Sequence, residues 1–223
     1  MSDVSRETPS VPAGARGVFS DALPLAERFA HLLATDGVVR GLIGPREVPR
    51  LWERYLVNCA LLGLGVPRGA TVADVGSGAG LPGLVLAIGR PDLHLTLVEP
   101  LLRRTTFLTE AVEHLALANV EVVRDRAEAL HGHRSFDVVT SRAVAPLDRL
   151  ARWCLPLVVP GGRMLAMKGA SAADEVARSG AVIHRLGGRR ASVVRYGAEL
   201  AGRVEGAPII VVEIVVPGAP ERA

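Results

Sequence analysis

Lysine occurs once in these 223 residues, at position 168, although lysine and arginine together number 26. Abundant arginine is therefore a compositional habit here and not by itself a sign of nucleic-acid binding. Cysteine is nearly absent. Cys59 and Cys154 stand far apart and in no CxxC pair, which excludes a disulfide framework or a cysteine-based metal site and reads as two reduced, buried thiols. His131-Gly132-His133 has no Cys or His cluster to accompany it, so it reads as a loop and no metal is expected. No apolar run reaches the ~18 residues that span a bilayer, so no membrane association is expected. Residues 1–17 lack the basic-then-apolar order of a signal peptide. The expected compartment is the cytoplasm.

Apolar residues make up 49% of the chain, enough for one sizeable core. The net charge of +3 is unevenly placed. Residues 163–203 hold eight cations against Asp174, Glu175 and Glu199, or +5, which points to a polyanion-facing surface or to a solvated face.

The chain is organised around V-A-D-V-G-S-G-A-G-L-P-G at 72–83. A strand over 71–75, glycines at 76, 78 and 80, and a helix over 81–89 form the first half of a nucleotide-binding βαβ unit. The glycines permit positive φ and close backbone approach, and the helix start offers free N–H groups. Asp74 precedes the turn. A carboxylate there suits a cationic or hydroxyl-bearing ligand better than a pyrophosphate, and so favours S-adenosylmethionine. Glu99 ends the next strand, 94–98, at the spacing from which an acid takes ribose hydroxyls.

Around this unit the order is a disordered tail over 1–18, a helical extension over 19–66 and a catalytic domain over 67–217. The extension holds helices over 22–34, with Asp21 as cap, and 47–64. Helices follow over 101–117, 146–155 and 172–186. Strands are expected over 120–123, 136–140 and 163–167, with a final antiparallel pair over 191–196 and 209–216. Trp52 and Trp153 fall on helical faces and read as core or interface rather than base-stacking platforms. The order predicts an α/β, Rossmann-like class I methyltransferase, with a mostly parallel seven-stranded sheet, a C-terminal antiparallel hairpin and N-terminal helices. Ligands should bind beyond the carboxyl ends of the parallel strands, where Asp74, Glu99, 125–128, Ser141, Arg142 and Lys168 fall.

The glycine segment 75–83, Phe107-Leu108, Ser141-Arg142-Ala143 and Lys168-Gly169 together resemble the 16S rRNA guanine-N7 methyltransferases, the RsmG or glucose-inhibited division protein B family, over about 46–215. The resemblance implies methyl transfer from S-adenosylmethionine to N7 of guanosine 527 in the 530 loop of 16S rRNA in the small ribosomal subunit. A monomer is expected. It places Gly76, Gly78 and Leu81 on the methionine and ribose side and Glu99 at the ribose, and Asp74 and Ser77 of the same segment are expected to be cofactor-binding with them. Ala127 and Glu128 fall at the adenine, and Arg142 between cofactor and substrate. Arg103, Arg104 and Lys168 match basic positions facing RNA. Many relatives differ at Gly41-Leu42-Ile43, Tyr55 and Asn58, so no site residue is assigned before 74.

The chemistry asks for little. Guanine N7 carries a free lone pair and attacks a sulfonium methyl without a general base, so catalysis is alignment. No residue is assigned as acid or base. A-form RNA hides N7 in a deep groove, so the target must be splayed or unpaired. Alternatives are methylation of another RNA or a small molecule, a nicotinamide-dependent oxidoreductase, and a non-catalytic RNA-binding factor.

Overall fold

The structure is a computed structural model that describes residues 10–142 and 145–218. Helices α1 (Ala13–Phe19) and α2 (Leu23–Leu32) open it, and α2 runs into a π-helical turn over Leu33–Gly37. A 3₁₀ segment, Pro45–Arg50, and a π-helical segment, Leu51–Val57, lead into α3 (Asn58–Leu62). Then come β1 (Thr71–Val75), α4 (Gly83–Gly89), β2 (His94–Val98), α5 (Leu102–Leu115) and β3 (Val120–Val123). They are followed by β4 (Phe136–Arg142), α6 (Leu147–Cys154), β5 (Val158–Lys168), α7 (Ala172–Arg185), β6 (Arg190–Tyr196) and β7 (Ile209–Val215).

The seven strands form one sheet in the order β3-β2-β1-β4-β5-β7-β6. All neighbours are parallel except β7, which runs antiparallel to β5 and β6. The chain turns outward to β2 on one side of β1 and returns to β4 on the other. This switch point opens a crevice at the carboxyl end of β1, where doubly wound folds bind ligands.

Two hydrophobic clusters cover the faces. One joins Phe29, Leu33, Leu51 and Leu56 to Leu84, Phe107 and Leu108, so the N-terminal helices pack in one layer with α4 and α5. The other joins Val139 and Met164 to Leu147, Leu150 and Ile183 of α6 and α7.

Several sequence expectations need correction. The tail expected over 1–18 falls partly, at 1–9, outside the described residues. Residues 13–18 belong to α1, which buries Ala15 and, at its end, Phe19. Gly14 lets α1 lie against Val204, since a Cβ there would stand 3.0 Å from it, and Phe19 meets Trp52 edge-on at 6.1 Å. Asp21 does not cap α2. It lies in a 3₁₀ turn, and α2 begins with Pro24 in its first turn and no side-chain cap. The helix expected over 47–64 is a 3₁₀, π and α composite. Pro49 sits in its first segment and has no N–H to give the helical ladder. β5 starts at Val158, not 163, and takes up 160–162 by a register shift against β4.

At the start of α4, Gly83 donates its N–H to Asp74 Oδ2 at 2.9 Å. A Cβ on Gly83 would overlap Leu97 and stand 2.8 Å from that same oxygen. We expect Gly83→Ala to cost about 1–3 kcal/mol by overpacking, read as a lowered midpoint in urea. An unchanged midpoint would mean that α4 shifts freely on the sheet.

Candidate active site

The loop after β1 is tied down from the side. Gly76 N–H donates to Val98 O at 2.8 Å. Gly78, at φ +57, donates its N–H to Glu99 Oε2 at 3.1 Å. Glu99 Oε1 accepts the Leu101 N–H at 3.1 Å, at the entry to α5, and Arg104 reaches Oε2 at 3.4 Å. The carboxylate is 2% exposed. Three donors thus hold it in place, and a carboxylate offers about four acceptor sites. A Cβ on Gly78 would meet only Gly76 O, at 3.8 Å, so this backbone faces open space.

That space is a cavity of about 710 Å³, with Gly76, Ser77, Gly78, Leu81, Glu99 and Arg104 in its wall. A smaller cleft of about 130 Å³ continues past Gly76 to Ala127, Glu128 and Trp153. Trp153, expected as core or interface, is half-buried and lines this cleft. His131 contacts the Trp153 carbonyl at 2.9 Å.

Asp74 corrects the sequence reading. It is fully buried on a central strand and is not part of the cavity wall. Oδ2 caps α4, and Oδ1 has no partner. Burial pushes its carboxyl up to about 7. Ser77, also buried, donates Oγ–H to Asp74 O at 2.8 Å and so braces the turn from below.

Arg142 ends β4 and is held from the N-terminal helices. Its guanidinium lies over the Tyr55 ring, 4.4 Å from the centroid, and donates to Arg54 O at 3.1 Å. The Tyr55 hydroxyl donates to Glu47 Oε2 at 2.6 Å. That bond lowers the Glu47 carboxyl, while burial and Glu47 raise the Tyr55 phenol. Cys59 Sγ is 3.9 Å from Arg142, but burial pushes the thiol up to about 11, so it stands there neutral. Sequence reasoning assigned nothing before residue 74 and therefore missed Arg54, Tyr55 and Asn58. The available signal was three polar side chains interrupting an apolar helix.

Arg142 and Arg54 also wall a second cavity, of about 550 Å³, on the other side. Lys168 lines it but is not a free cation. Its side chain is 8% exposed, and Nζ donates to Glu175 Oε2 and to Ala145 O, both at 2.8 Å. Glu175 also accepts the Leu147 N–H at 2.9 Å and the Ser171 hydroxyl at 3.1 Å. Burial raises the Glu175 carboxyl, but Lys168 and the Leu147 N–H together outweigh it and leave it lowered. The pair fastens Ala145 and Leu147 at the entry to α6. Of the other two cations expected to face RNA, Arg103 is exposed, whereas Arg104 is engaged by Glu99. Ala143 of the Ser-Arg-Ala segment lies outside the described residues.

The family model for rRNA small subunit methyltransferase G matches residues 22–201. The chain belongs to this family. A ribosomal RNA small subunit methyltransferase G of a Nocardioides species is 64% identical over 214 residues, covering 96% of this chain and 84% of that one. The Streptomyces coelicolor protein of the same name is 58% identical over 192 residues, or 86% and 80% of the two chains. Among solved structures, an S-adenosylmethionine-dependent methyltransferase from Aquifex aeolicus superposes with a TM-score of 0.55 at 19% identity, covering 79% of this chain and 98% of that one. That likeness speaks for the fold.

Membership brings S-adenosylmethionine as the methyl donor, and the residues present fit it. The glycine backbone leaves room beside Gly78, and the Glu99 carboxylate is fixed in the wall of the same cavity with an acceptor site to spare.

Removing one partner of a buried pair costs about 3–5 kcal/mol, and we expect this of Lys168→Met at neutral pH. The folded Glu175 carboxyl is lowered, so the pair's contribution is present above the unfolded carboxylate value and lost as pH falls through the folded one. The gap between wild type and Lys168→Met in denaturant titrations should therefore close in acid. The salt dependence of RNA binding should not change. A flatter salt slope would return Lys168 to the RNA surface.

Proposed function

We propose that the protein transfers the methyl of S-adenosylmethionine to N7 of guanosine 527 in the 530 loop of 16S rRNA. The observation behind this reading is the glycine loop braced by Glu99 on a large cavity, in a chain of this family. In this reading Glu99 takes the ribose hydroxyls, and Gly76, Ser77, Gly78 and Leu81 border the methionine and ribose. Ala127 and Glu128 border the adenine. Arg103 offers an exposed charge for the RNA backbone.

The chemistry needs no acid or base. The N7 lone pair displaces sulfur at the methyl carbon, and positive charge passes from the sulfonium to the base. The protein's work is to align nucleophile, methyl and leaving sulfur. Cys59 is fully buried and lines neither cavity, which supports direct transfer over a covalent intermediate on that thiol. Arg142 suits the guanine O6 or a phosphate, because a guanidinium against N7 would oppose the charge that develops there.

Nucleotide-resolution mapping of N7-methylguanosine in small-subunit RNA, with and without the protein, tests the proposal. Modification confined to guanosine 527 is expected, and its absence would overturn the assignment. In the same protein, Glu99→Gln should weaken S-adenosylmethionine binding about 10- to 100-fold, the loss of a charge-assisted hydrogen bond. An unchanged dissociation constant in calorimetry would remove Glu99 from the ribose.

A further inference from the structure

The second cavity has a composition that the cofactor does not explain. It shares Arg54 and Arg142 with the cofactor cavity and none of the glycine loop. Met167, Ile209 and Ile210 give it apolar surface. Among the described residues, Glu175 is the one carboxylate in its wall, and Asn58 in the same wall has a buried Oδ1 with no donor. At about 550 Å³ it lies within the usual range of small-molecule sites, about 300–1,000 Å³.

We infer that this second cavity receives the splayed target guanine, with its O6 edge toward Arg142 and its N1–H toward Glu175. The inference rests on the methyl-transfer reading and adds to it where the base sits and how it is chosen. A base about to receive a methyl must stand at the boundary of the cofactor cavity, and Arg142 is that boundary. Apolar side chains suit the faces of a purine.

The polar groups are arranged for guanine. Its O6 accepts and its N1–H donates, matching a guanidinium and a carboxylate. Adenine inverts both, with a donor at N6 and an acceptor at N1, and would set like against like. Glu175 can still take that donor. Lys168, Leu147 and Ser171 use three of its roughly four acceptor sites, and its lowered carboxyl keeps it ionised at neutral pH. The Lys168–Glu175 pair then serves the pocket by fixing that carboxylate.

Gly169 lines the cavity, and a Cβ there meets nothing within 4 Å. Gly169→Trp should therefore fill the space without disturbing the fold. The test uses the full chain saturated with S-adenosylhomocysteine and titrated with guanosine 5′-monophosphate, followed by the methyl resonances of Ile209 and Ile210. Both methyls are expected to shift, with adenosine 5′-monophosphate binding at least tenfold more weakly. In Gly169→Trp the shifts should vanish while S-adenosylhomocysteine affinity stays within about threefold, and single-turnover RNA methylation should fall at least a hundredfold. Unmoved isoleucines in the wild type, equal binding of the two nucleotides, or wild-type turnover in Gly169→Trp would each overturn the inference. Nucleotide binding here by a wild type that methylates no small-subunit RNA would leave the pocket standing and overturn the proposed function instead.

Discussion

The Glu99 carboxylate is the constraint on which the site depends. It ends β2, yet its hydrogen bonds go to the loop after β1 and to the entry of α5. A buried charge is costly unless its acceptor sites are filled. Here Gly78, Leu101 and Arg104 fill three and leave the group set for a further donor. The glycine loop is held by this carboxylate and by the Val98 carbonyl, both from the neighbouring strand. The parallel register of β1 and β2 thus becomes a fixed binding edge. Asp74 does the same from beneath, through Gly83, at the cost of a carboxyl that titrates near neutrality.

A second network forms the opposite wall. Glu47 holds Tyr55, Tyr55 supports Arg142, and Arg142 divides the two cavities. The segment from Leu51 to Val57 is π-helical, a rare geometry that is frequent at functional sites. On the far side, Lys168 and Glu175 hold Ala145 and Leu147 at the entry to α6. The support of Arg142 thus comes from outside the βαβ unit that carries the glycine loop.

The sheet was readable in the sequence because a parallel strand buried on both faces reads as a continuous apolar run. β1, β2 and β3 fall at the expected residues, and the antiparallel pair at the end is present. The glycine loop and Glu99 were readable for the same local reason, since spacing along one βαβ unit fixes their meeting. What escaped was set by tertiary contact. Asp74 and Lys168 are charged residues at strand ends, and only packing decides that one caps α4 and the other pairs with Glu175. α1 was read as a tail because its small residues have weak periodicity, and its fit against Val204 and Trp52 is long-range. Tyr55 and Asn58 are distant in sequence from the motifs they serve, and no local pattern connects them.

The central claim is that the Glu99-braced edge is the cofactor site and that Arg142 separates it from the substrate. A crystal structure of the full chain with S-adenosylhomocysteine tests this most directly. The ribose hydroxyls are expected on the Glu99 carboxylate, the adenine against Ala127 and the sulfur facing the Arg142 wall. A ligand bound elsewhere, with Glu99 still closed on Gly78 and Arg104, would contradict it.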